Sequence, residues 1–196
     1  DPQQYDDKVS TVVVPDVMTV TYDHYGADSY WDITLDDINY DGDYTDDDLT
    51  YSPPLENEGV IVNGWCVDEY TTIYDGRYDV NVHYKGNNGQ TSREVFHDGH
   101  PGHSPTGDAW DCVDYILNHK SGMDKFDVQD AIWYFVNGGN MPSDTEAAAL
   151  VDEAEANVVS WLNSGHPDTG ELVAVVIDPN TGGTHCDQWA IIEVDP

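Results

Sequence analysis

Basic residues are scarce. Only 6 Lys and Arg stand against 39 Asp and Glu in 196 residues, a formal net charge of −33. Phosphate backbones are held by clustered Lys and Arg, so this balance excludes direct nucleic-acid binding. Long apolar runs are also missing: none approaches the length that spans a bilayer, and no stretch reads as a signal peptide. The chain opens on Asp1 rather than Met, as a processed or excised segment would. Phosphate-loop and dinucleotide fingerprints are absent too. What is present is a core: 39% of residues are hydrophobic, with 6 Trp and 13 Tyr, which excludes a disordered acidic tail. The length fits one domain, or one domain with an inserted subdomain.

Among the acids only nine are Glu, so the surplus is aspartate. At low salt such charge repels itself, and molar salt shortens the Debye length to about 3 Å and removes most of the cost. A halophile's surface or a collector of divalent cations would both look like this. One cluster stands apart. Asp37, Asn39, Asp41, Asp43 and Thr45 fall at positions 1, 3, 5, 7 and 9 of a loop, with Asp48 at 12 and Gly42 at the sharp turn of position 6. That is the ligand spacing of an EF-hand-type calcium loop. Tyr30 to Leu35 alternates like a strand where an EF-hand has its entering helix, so the loop is expected on a β scaffold with calcium as a structural ion.

Strand signals run from Thr11 to Tyr22, broken by Pro15, and from Val60 through Asn63-Gly64 to Val67. Thr71 to Tyr84 alternates in the manner of a hairpin, and residues 85–108 read as a long Gly/Asn/His/Pro loop. Helical spacing begins at Asp108, with Trp110, Val113 and Leu117 on one face. A second helix is expected from about Asp127 to Val136, stopped by Asn137-Gly138-Gly139. A third starts from a capping box of Ser143 and Glu146 and ends at Gly165 and Pro167. Glu171 to Ile177 and Trp189 to Val194 are the last strands. The order predicts an α+β fold, a β-sandwich or barrel-like sheet with an inserted three-helix subdomain at about 106–165. The expected division is a β segment with the calcium loop over 1–57 and a second unit over 58–196.

Three cysteines leave one over after a single disulfide. Cys66 ends an apolar strand in Gly64-Trp65-Cys66-Val67-Asp68, and Gln129 sits in the helical segment Val128-Gln129-Asp130-Ala131-Ile132-Trp133. These two motifs resemble those of the thioester domains of bacterial and archaeal surface proteins: aromatic-Cys-aliphatic with aliphatic-Gln-x-Ala-aliphatic-Trp. The Tyr134-Phe135-Val136-Asn137-Gly138 continuation and the closing Ile191 to Val194 strand are similar as well. The resemblance covers about residues 58–196; Val128 departs from the Thr that many relatives carry before the glutamine.

The resemblance implies an internal thioester between Cys66 and Gln129, shielded from water by Trp65, Trp133 and Tyr134. It implies an adhesive role at the cell surface, in which a lysine amine on another protein or cell is captured covalently, once per molecule and without turnover. A disulfide between Cys112 and Cys186 is expected to tie the helices to the last strand. Two separate buried thiols are the alternative, and pairing of Cys66 with either one would abolish the thioester. The competing reading of the main pair is a buried reduced thiol and a solvated helix glutamine. A calcium-stabilised subunit of an extracellular filament or surface layer is the rival function, self-associating through the N-terminal strand. His97, His100 and His103 could bind zinc or copper, but their Gly/Pro-rich loop reads better as a polar loop. No hydrolase motif surrounds Cys66.

Overall fold

The computed structural model describes residues 17–24, 26, 28–37, 60–67, 69, 73–83, 109–138, 140–168, 170–179 and 188–194. Six strands carry the β-branched and aromatic residues: β1 Val17–His24, β2 Trp31–Asp37, β3 Val60–Cys66, β4 Gly76–His83, β5 Val173–Pro179 and β6 Ala190–Val194. They close into a barrel in the order β1-β2-β3-β6-β5-β4, every pair antiparallel. Of the two sheet forms expected, the barrel is the one formed. It takes strands from both sides of residue 57, because β1 and β2 pair with β4 and β3.

One sequence expectation changes. Where alternation from Thr71 to Tyr84 suggests a hairpin, the described residues Gly76–His83 form a single strand, β4, paired with β1 and β5. Alternation reports that one face is buried; it does not name the neighbour. Asn63-Gly64 lies inside β3, opposite Asp32 and Trp31. Strand β1 is paired on both edges from Thr19 to Tyr22, with β2 on one side and β4 on the other.

Among the described residues between β4 and β5 run three helices, α1 Ala109–His119, α2 Lys125–Asn137 and α3 Thr145–Asn163. Asp124 caps α2 by accepting from Phe126 N at 2.9 Å, and Gly138 ends it in the left-handed region at φ 58°. The cap of α3 is Asp144 rather than Ser143; its carboxylate accepts from Glu146 N at 2.8 Å.

Period-2 alternation splits the strands between two cores. Met18, Val20, Tyr22, Trp31, Ile33, Leu35, Val80, Val82, Val175 and Ile192 fill the barrel. Trp65, Val67, Ala174, Val176 and Ile191 point outward, where the apolar faces of the helices cover them. Strands β5 and β6 are therefore buried on both faces, which explains the Val/Ile/Ala runs Val173 to Ile177 and Ala190 to Ile192.

Helix side chains also complete the barrel's hydrogen bonding. Past the last β4–β5 pair, His83 with Val176, the backbone of β5 turns to α1. Asn118 donates to Leu172 O and accepts from Leu172 N, both at 2.8 Å, and Asp114 accepts from Ala174 N at 2.8 Å. Asn118→Ala strands a part-buried donor and acceptor together, so a loss of roughly 1–3 kcal/mol is expected in urea unfolding. Asn157→Ala removes an exposed bond to Glu153 O within α3 and should stay within about 0.5 kcal/mol.

Candidate functional site

Cys66 is the last residue of β3 and lies past the last β2–β3 pair, Trp31 with Gly64. Beyond that point a peptide group at the barrel rim needs another partner. The partner is Gln129, in the second turn of α2. Its Oε1 accepts from Cys66 N at 2.7 Å and its Nε2 donates to Cys66 O at 2.9 Å. The carboxamide thus fills the place of a strand peptide, and the closed ring of bonds sets Cδ opposite the Cα of Cys66. Both residues are sealed from solvent, at 0% and 1% exposure. Two turns on, Asn137 donates to Val67 O at 3.1 Å, so one face of α2 continues the ladder along the chain leaving β3.

The side chains of β3 divide here. Cys66 points into the barrel, where the indole Nε1 of Trp31 donates to Sγ at 2.9 Å. Tyr22 packs edge-on against Trp31 with ring centroids 5.5 Å apart. The Tyr22 hydroxyl is buried and has no hydrogen-bond partner among the described residues. Burial above all, then Cys66, Asp178 and Tyr78, hold its phenol well above the usual value. It stays protonated, and its contribution to stability is lost only as pH rises into the alkaline range.

Trp65 points the other way, into the helical core. Its Nε1 donates to Glu193 Oε1 at 2.6 Å, while Asn63 Nδ2 reaches Oε2 at 3.1 Å and Lys120 Nζ lies 3.2 Å from Oε1. Trp133, one turn past Gln129, packs against both cores, and Tyr30 lies against it with centroids 6.1 Å apart. The Trp133 Nε1 is buried with no partner among the described residues. Tyr134 turns to α3 and donates to Glu155 Oε1 at 3.0 Å. Burial first, then Glu155, raises its phenol pKa. At the outer face of α2, partial desolvation and then the Glu69 and Asp144 charges raise the carboxyl of Asp130.

Of the residues singled out in the sequence, Cys66 and Gln129 are brought into contact, with Trp133 beside them. Trp65 is next in sequence but on the opposite face of the strand, and Tyr134 faces α3. Cys112 is buried in α1. Its expected partner Cys186 lies outside the described residues, and no disulfide occurs among those described. The calcium loop from Asn39 to Asp48 and the histidines 97, 100 and 103 also lie outside them, while Asp37 ends β2. No group of three His, Cys, Asp or Glu side chains poised for a metal occurs among the described residues. Sequence reasoning missed Trp31, Tyr22 and Glu193. Alternation placed Trp31 and Glu193 on strands, but only strand pairing sets Trp31 beside the sulfur. No family model, curated protein or solved structure matches this chain.

Gln129→Glu keeps the shape and removes the donor to Cys66 O. Burial and the facing carbonyl hold the introduced carboxyl above its unfolded pKa of about 4.3. The fold then tolerates it below that pH and loses stability as pH rises through the folded-state value. Introduced into Cys66→Ala, which keeps the clamped backbone and removes the thiol, it should show in urea unfolding a cost of roughly 1–3 kcal/mol at neutral pH that shrinks in acid.

Proposed function

We propose that the chain is a thioester domain, in which Cys66 and Gln129 form an internal thioester that captures an amine of a partner covalently, once per molecule. The observation that carries this reading is the double hydrogen bond that clamps the Gln129 carboxamide to the backbone of Cys66. It holds an acyl carbon against the backbone of the residue that carries the thiol, and such placement substitutes for a high reactant concentration. Sγ attacks Cδ, and the charge that develops on Oε1 meets the Cys66 N–H already directed at it. The thiol proton passes to Nε2, the C–N bond breaks, and ammonia leaves. In the capture step an amine attacks Cδ, the C–S bond breaks, and an amide remains with a released thiol.

Burial favours this chemistry over hydrolysis. Both reacting residues are withdrawn from solvent, and Trp133 covers the same helix face as Gln129. The net charge of −33 favours a cationic partner, which points to lysine amines rather than hydroxyls. On this reading the helices are an insertion at about 106–165 and the protein acts outside the cell, in adhesion or crosslinking. Closing a span of 63 residues would also stabilise the fold by on the order of 4 kcal/mol on a loop-entropy basis.

Intact mass of the unreduced protein, before and after methylamine, tests the proposal. The expected result is a starting mass low by one ammonia, then gain of one amine with one new titratable thiol. Cys66→Ala should show neither change. A full mass with an unmodified Gln129 in the peptide map would leave the carboxamide as a structural cap of β3 and overturn the reading.

A further inference from the structure

We propose that Trp31 is a catalytic residue of the acyl transfer: its indole N–H receives the negative charge that gathers on Cys66 Sγ when an amine breaks the thioester. This rests on the thioester reading above.

The contact is direct, with Nε1 2.9 Å from Sγ. Both residues are buried, Trp31 at 1% exposure and Cys66 at 0%. A thiol or thioester sulfur is a weak acceptor, whereas a thiolate is a strong one. The bond therefore tightens as charge moves onto sulfur, which lowers the barrier rather than only stabilising the resting state. In a dry barrel the gain is larger than in water, because no solvent competes for the sulfur.

The placement of the indole is over-determined. Trp31 opens β2 directly across from Gly64, and Cys66 is the next residue of β3 on the same face. A Cβ on Gly64 would lie 2.9 Å from Trp31 Cβ and would run into Ile33. Glycine at that position lets the indole lean across the strand to the sulfur. Tyr22 at 89° and Tyr30 at 63° then hold it edge-on, with centroids 5.5 and 5.9 Å away. The donor is set before reaction and need not reorganise during it.

In the capture step the C–N bond forms as the C–S bond breaks. Sulfur leaves with the bonding pair as a thiolate against the Trp31 N–H, and the proton shed by the amine ends on that sulfur. No oxidant or cofactor enters the balance.

The test compares the original protein with Trp31→Phe and with benzothienylalanine at position 31, which keeps the indole shape and replaces N–H by sulfur. Circular dichroism and the unfolding midpoint report the fold, intact mass reports ammonia loss, and the rate of methylamine uptake is followed across pH. Both variants should take up methylamine roughly tenfold to a hundredfold more slowly, the range expected for one bond to a charged group. In the amine-reacted proteins the ultraviolet thiolate band should appear at higher pH than in the original. Should Trp31→Phe fail to fold, the isosteric variant decides. Uptake by that variant within about twofold of the original, after ammonia loss in both, overturns the role of Trp31 alone. Retention of ammonia by the original protein overturns the thioester, and with it this proposal.

Discussion

A strand that outruns its neighbour leaves peptide groups facing a buried space, and in this barrel the helices must answer for them. At one end Asn118 and Asp114 of α1 complete the backbone of β5, and at the other Gln129 and Asn137 of α2 complete that of β3. Unpaired, each such group would cost about 1–3 kcal/mol, a large share of the roughly 5–15 kcal/mol that separates folded from unfolded domains. The helices are therefore part of the barrel's hydrogen bonding as well as its cover. Chemistry at Cys66 follows from the same need, since the amide that satisfies the strand is the one that lies against the thiol.

β3 links two interiors. Cys66 belongs to the barrel core and Trp65 to the helical core, and alternation puts them back to back. Trp65 is held by Glu193, whose carboxylate also meets Lys120 and Asn63. A buried carboxylate needs such company to be tolerated. Basic residues are few, yet Lys120 and Lys125 both reach from the helical segment to the barrel, the second through a 2.7 Å bond to Gly26 O. Two of the six Lys and Arg thus tie the helical segment to the barrel.

The sequence was most legible where the signal is local. Spacing located all three helices, because an amphipathic stripe needs no knowledge of its partner. The cap of α3 shifted by one residue, since Ser143 and Asp144 are both good caps and the choice depends on backbone entry. The strands were visible as alternation, but barrel closure was not, and neither was the single-strand nature of β4. Cys66 and Gln129 were singled out by motif and lie in contact. The double clamp could not be foreseen, as it depends on where β2 stops pairing. Trp31 was seen only as a strand residue for the same reason: a cross-strand neighbour is a fact of register.

The parity of the barrel has a mechanical consequence. With every neighbour antiparallel, β1 begins and β6 ends at one end of the barrel, and Cys66 stands at the other. In the ring of six, β1 and β6 are diametrically opposed, three steps apart by either route. Traction applied between Val17 and Val194 would divide between two chains of ladders, β2–β3 and β4–β5, each carrying part of the load. Such pulling would peel the barrel from the end remote from Cys66, so the rim that carries Gln129 would be the last part to feel the strain.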